Sequence, residues 1–151
     1  MDTHTNHSRM KAIRPALLLL ALMSSGLASA EEGSIVVNLK NIRDDSGMLR
    51  ASLYREAETF RKEDKALQVI AVPSVKGAAR LVFNGVPPGR YAIMAYHDEN
   101  ADGKLNLRLG MFPKEGYGLS NNPAIFGPPK FADSAFEHAG PSTPVNISIS
   151  Y

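Results

Sequence analysis

The chain has 151 residues, no cysteine and a formal net charge of +2. Without cysteine there are no disulfides, no thiolate metal sites, no cysteine nucleophile and no lipid-modified cysteine. Scattered charge near neutrality lacks the basic stripe of a nucleic-acid binder, and the length suits one domain around one core.

In chain order, the first thirty residues read as an export signal. Lys11 and Arg14 precede a short apolar run, Pro15 to Met23, and Ala28-Ser29-Ala30 supplies the small-x-small pattern of a signal peptidase site. The run is too short to span a bilayer, which takes ~20 residues. Cleavage after Ala30 would remove Arg9, Lys11 and Arg14 against Asp2, taking the net charge to zero. The expected organisation is a signal peptide over 1–30 and one domain over 31–151, in the periplasm or outside the cell. Nothing after residue 30 is apolar for long enough to insert into a membrane.

The mature chain reads as strands and turns. Ile35, Val37 and Leu39 alternate with polar or outward residues, and so do Leu49, Ala51 and Leu53 in Met48 to Tyr54. Asp44-Asp45-Ser46-Gly47 between them predicts a turn and a hairpin. Arg55 to Lys65 is strongly charged and reads as a solvated connection with Phe60 tucked inward; a charged binding face is the functional alternative. Leu67 to Val72 and Ala79 to Phe83 form the next pair of strands. Pro88-Gly89 predicts a type II turn, with positive φ at the glycine. Tyr91 to His97 is apolar throughout, as in a central strand covered on both faces, and Leu105, Leu107, Leu109 and Met111 suggest its hairpin partner. Val145, Ile147, Ile149 and Tyr151 close the chain with a clean period of two. About seven short strands, turns rich in Gly and Pro, and no helical periodicity predict an all-β fold, a single antiparallel β-sandwich with one long Gly/Pro/aromatic loop.

GVPPGRYAIMAYHDENADGKLN, PKEGYGLSNN, the stretch from Phe126 to Phe136 and the terminal NISISY stand out as motifs. With them the chain resembles a family of small exported bacterial proteins described as domain of unknown function 2141. The resemblance covers nearly all of the mature chain. It implies a transthyretin-like or immunoglobulin-like sandwich, and it brings no activity with it.

Two stretches could carry function. Asp98, Asn100, Asp102 and Gly103 match the opening of a calcium loop, with Lys104 offering its carbonyl and Asn106 following. Leu109 stands where such a loop places its bidentate glutamate, and Glu115 is a substitute carboxylate from the next loop. The plainer reading is a polar hairpin tip whose Asp and Asn side chains cap their own backbone. The second stretch is the connection from Phe112 to Pro129, long enough to be functional. Tyr117 with Asn121 and Asn122 offers ring stacking and amide hydrogen bonds to a polar small molecule or glycan; a loop packed on the sandwich by its own aromatics is the structural alternative.

The composite expectation is an exported, non-catalytic binding or accessory module. Calcium is its one expected cofactor, and its partner is an envelope protein or a polar small molecule. The rival is a small periplasmic hydrolase using His97, Asp98 and Glu115, although no nucleophile motif accompanies them.

Overall fold

The computed structural model describes residue 1 and residues 31–151. The export signal expected over 1–30 lies outside the described residues, apart from Met1.

The strands are β1 (Gly33–Ile42), β2 (Met48–Tyr54), β3 (Gln68–Pro73), β4 (Gly77–Val86), β5 (Gly89–Asp98), β6 (Leu107–Arg108), β7 (Phe112–Pro113), β8 (Tyr117–Leu119), β9 (Phe136–His138) and β10 (Ser142–Ser148). A single helical turn, α1 (Phe131–Ser134), precedes β9. Two sheets face each other. One has the order β10-β1-β4, and the other has β3-β2-β5-β8, with β9 pairing the start of β5. The fold is an all-β sandwich. Its pairs are antiparallel except β1 with β10, which run parallel, Val37 opposite Val145 and Leu39 opposite Ile147. Among the described residues no helix is long and apolar enough to cross a membrane.

The period-two pattern explains the core. Ile35, Val37, Leu39, Leu81, Phe83, Val145 and Ile147 point inward from one sheet, and Leu49, Ala51, Leu53, Tyr91, Ile93 and Ala95 point inward from the other. Each large apolar side chain buried this way contributes about 1.5–3 kcal/mol. β5 is covered on its outer face too. Ala92 packs there with Tyr54, Phe60 and Leu119, and Phe60 meets Tyr54 and Phe131 edge to face. The charged connection from Arg55 to Lys65 is therefore a cover over the second sheet, tucked in by Phe60 as expected. Glu63 pins it: its carboxylate accepts from Arg50, from Ser52 at 3.1 Å and from Tyr96 at 3.1 Å.

Three local expectations fail. β1 and β2 do not form a hairpin, because β1 lies in the first sheet and β2 in the second. The Asp44–Gly47 segment is an arch between layers. Gly47 takes φ +62, and a Cβ there would sit 1.9 Å from the Asp98 carbonyl oxygen. The Pro87–Gly89 segment is a second arch, from β4 to β5. The nearest positive-φ glycine is Gly85 at +64, inside β4, and Gly89 starts β5 instead of turning. Tyr91 closes this arch by donating its hydroxyl to the Pro87 carbonyl at 2.7 Å. The third failure concerns the partner of β5. Leu105 to Met111 does not pair with it; β2, β8 and β9 do. Alternation marks which side chains face inward, but not whether the next strand joins the same layer or the opposite one.

Candidate functional site

The C-terminal end of β5 carries the polar turn. Asp98 is buried, and its two oxygens accept the backbone N–H groups of Asp102 at 3.0 Å and Gly103 at 2.8 Å. The turn thus wraps around one carboxylate, and Gly103 at φ +77 permits the bend. Asp102 Oδ1 accepts the Lys104 amide at 2.9 Å. Its Oδ2 receives two side-chain amides, from Asn100 at 3.2 Å and Asn106 at 2.9 Å. These donors hold the Asp102 carboxyl below the usual range, the Asn106 contact foremost. Asn100 also donates to Asn106 Oδ1 at 2.9 Å. The structure therefore gathers Asp98, Asn100, Asp102 and Asn106 in one turn, with Lys104 alongside.

Glu115 reaches this turn from the following segment. Buried, it accepts the Glu99 N–H at 3.0 Å and the Asn106 N–H at 2.8 Å, bracing both ends of the loop. Among the described residues no three His, Cys, Asp or Glu side chains gather as a metal cluster. A cation here would use amide and carbonyl oxygens beside the carboxylates. The donor set fits a hard cation on one condition: the Asn100 and Asn106 amides, now giving N–H to Asp102, must turn their oxygens inward.

His97 is fully buried beneath the turn. Its Nε2 lies 2.7 Å from the Ser46 carbonyl, which can only accept, so Nε2 carries the proton. Its Nδ1 then accepts from the Tyr151 hydroxyl at 2.8 Å, and that hydroxyl accepts the Arg43 N–H at 2.9 Å. Burial raises the Tyr151 phenol above its ordinary value, in keeping with a group that donates. Neither Asp98 nor Glu115 bonds to the imidazole; both are occupied by backbone amides. The three residues of the hydrolase reading are neighbours without being partners. His138, at the other end of the sandwich, is also buried. It pairs with Val86 O at 3.1 Å and Thr143 Oγ at 2.7 Å.

Beside this end lies a groove of about 300 Å³, lined by Tyr117, Gly118, Leu119, Asn122, Pro123, Ile125, Ser148 and Ser150. Gly118 forms part of its wall, and Gly116 lets the same strand approach the chain end. A Cβ on Gly118 would lie 2.5 Å from the Ser148 carbonyl oxygen, and one on Gly116 would lie 2.3 Å from the Tyr151 ring. β8 can therefore approach the C-terminal strand closely, and Tyr117 and Ser150 exchange backbone hydrogen bonds at 2.9 Å each way. Of the three residues offered for a polar ligand, Tyr117 and Asn122 line the groove. Asn122, however, spends its amide on β10, giving N–H to Asn146 O at 2.9 Å and accepting Ser148 N–H at 2.8 Å. Asn121 is not among the lining residues and donates to Ala135 O at 2.8 Å. Of the loop aromatics, Phe131 and Phe136 pack on the sandwich, whereas Phe112 and Phe126 are exposed. Sequence reasoning missed Ser148, Ser150 and Tyr151, whose terminal strand gave no sign of which segment it would meet.

A family model described as an uncharacterized protein conserved in bacteria, DUF2141, matches residues 37–146. No curated protein and no solved structure matches the chain.

Proposed function

We propose, for a chain that belongs to the DUF2141 family of uncharacterised bacterial proteins, an exported binding or accessory module that works without catalysis. The groove between β8, its following loop and the C-terminal strand takes a polar small molecule or glycan, or a polar segment of an envelope protein. The observation that carries this reading is the groove's make-up. Leu119, Pro123 and Ile125 give it an apolar side, the Tyr117 ring offers a stacking surface, and Ser148 and Ser150 supply hydroxyls. His97 and His138, by contrast, have both ring nitrogens engaged and no exposure to a substrate. Export rests on the charged, apolar and small-residue pattern of residues 11–30.

The test is an equilibrium titration with neutral mono- and disaccharides. With no tryptophan in the chain, tyrosine fluorescence is the natural signal. A saturable change that Tyr117→Ala removes is expected; a response identical in the variant contradicts the groove reading.

The turn from Asp98 to Asn106 belongs to the same proposal as a weak calcium site with Kd ~10⁻⁴–10⁻³ M. A few millimolar calcium should then stabilise the fold by about 1–2 kcal/mol. A melting temperature rising by several degrees relative to excess chelator is expected, and an unchanged one rules the ion out.

A further inference from the structure

A different element carries an inference independent of the groove. β6 and β7 form a small hairpin, Leu107 opposite Pro113 and Arg108 opposite Phe112. Its turn places two successive residues at positive φ, Leu109 at 53° and Gly110 at 68°, and Met111 N–H bonds Arg108 O at 3.1 Å. Glycine takes that geometry freely, but leucine is held in it at a cost. The strained residue is also 82% exposed, beside Met111 at 70%, Phe112 at 60% and Leu107 at 43%. Four large apolar side chains thus crowd a seven-residue tip, on both of its faces.

The tip is mounted firmly. Lys114 N–H bonds Asn106 O at 2.8 Å just below it, and Glu115 braces the base. Three exposed cations lie within it or flank it along the chain, Lys104, Arg108 and Lys114. None of them makes a side-chain ion pair among the described residues.

We infer that this hairpin docks the protein on an anionic lipid bilayer, with Leu107, Leu109, Met111 and Phe112 entering the interface while Lys104, Arg108 and Lys114 meet the head groups. A flat protein partner would cover one face of the tip, whereas an acyl layer surrounds both. A second copy of this chain fits less well, because a stable dimer buries ~20–30 residues a side and the tip offers far fewer. Apolar tip and cationic collar are the two terms of peripheral membrane binding, burial of side chains plus attraction to negative lipid. The inference shares no residue with the groove, so either can fail alone.

The experiment is co-sedimentation with vesicles of phosphatidylcholine alone and of phosphatidylcholine with phosphatidylglycerol, using the protein as recovered from a producing bacterium. Parent and variants carry the same N-terminus, so their difference reads the hairpin alone. Binding to the anionic vesicles, weakened by salt, is expected. Leu109→Ser/Met111→Ser/Phe112→Ser should reduce it by about 1000-fold, since each of the three buried side chains is worth roughly tenfold. Lys104→Gln/Arg108→Gln/Lys114→Gln should weaken binding and flatten its salt dependence. All six positions are exposed, and unchanged melting curves would show the variants folded. The inference is overturned by parent protein that stays in the supernatant, by a serine variant that binds undiminished, or by tip-dependent self-association in place of vesicle binding.

Discussion

Gly118→Ala is expected to destabilise the protein by about 3 kcal/mol, the upper part of the range for forcing an extra methyl into a packed interior. The added carbon would sit 2.5 Å from the Ser148 carbonyl oxygen and 2.6 Å from Ile147 Cγ2. Neither neighbour can retreat cheaply: Ser148 is backbone held within β10, and Ile147 is fully buried in the core. β8 must therefore move away from the C-terminal strand, and the paired hydrogen bonds between Tyr117 and Ser150 go with it. The groove's wall is the same contact, so ligand response should fall alongside stability. Gly140→Ala provides the comparison. A Cβ there meets nothing within 4 Å and its φ is not positive, so the substitution should be neutral or stabilise by about 0.4–1 kcal/mol. Urea unfolding curves of the two variants check both values. Equal midpoints for the two would contradict the close approach.

Glu115→Gln should cost about 3 kcal/mol and act locally. The carboxylate accepts two backbone N–H groups, from Glu99 and Asn106, at a buried position. Glutamine keeps the shape but offers one acceptor oxygen and turns an N–H₂ toward the second donor. A charge-assisted bond of about 1.5–3 kcal/mol is lost, and a buried N–H is left unpaired. Amide exchange should accelerate over residues 99–114 while the strands of the core, β1 and β2, stay protected. Uniform acceleration along the chain would mean that Glu115 supports the whole fold instead of the loop. Unchanged exchange would mean that it braces nothing.

Much of this architecture was legible in the residues. Leu49, Ala51 and Leu53 bound β2 correctly, and β5 reads as doubly covered because it lacks a polar face. The class of fold followed from those alternations. What alternation leaves open is pairing. Val145 and Ile147 signal a strand equally well whether it runs parallel or antiparallel to β1, and Asp44–Gly47 serves an arch as well as a hairpin. The polar turn was readable because its geometry is local: Asp98 captures amides four and five residues ahead. Leu105 to Met111 misled for the opposite reason. Its alternating leucines imitate a buried strand, yet Gly110 lets the chain reverse at Leu109 and leaves Leu107 and Leu109 outside. The groove was half visible. Tyr117 and Asn122 stood out in the loop, but Ser148 and Ser150 come from a strand thirty residues on, brought close by the missing side chains of Gly116 and Gly118.

Amide chemical-shift mapping during saccharide titration tests the proposed ligand groove between β8 and the C-terminal strand most directly. Perturbations confined to Tyr117, Gly118, Leu119, Ser148 and Ser150, with His97 and His138 unmoved, are the predicted result. Shifts centred on the two buried histidines, or none at the groove with any sugar tried, would contradict it.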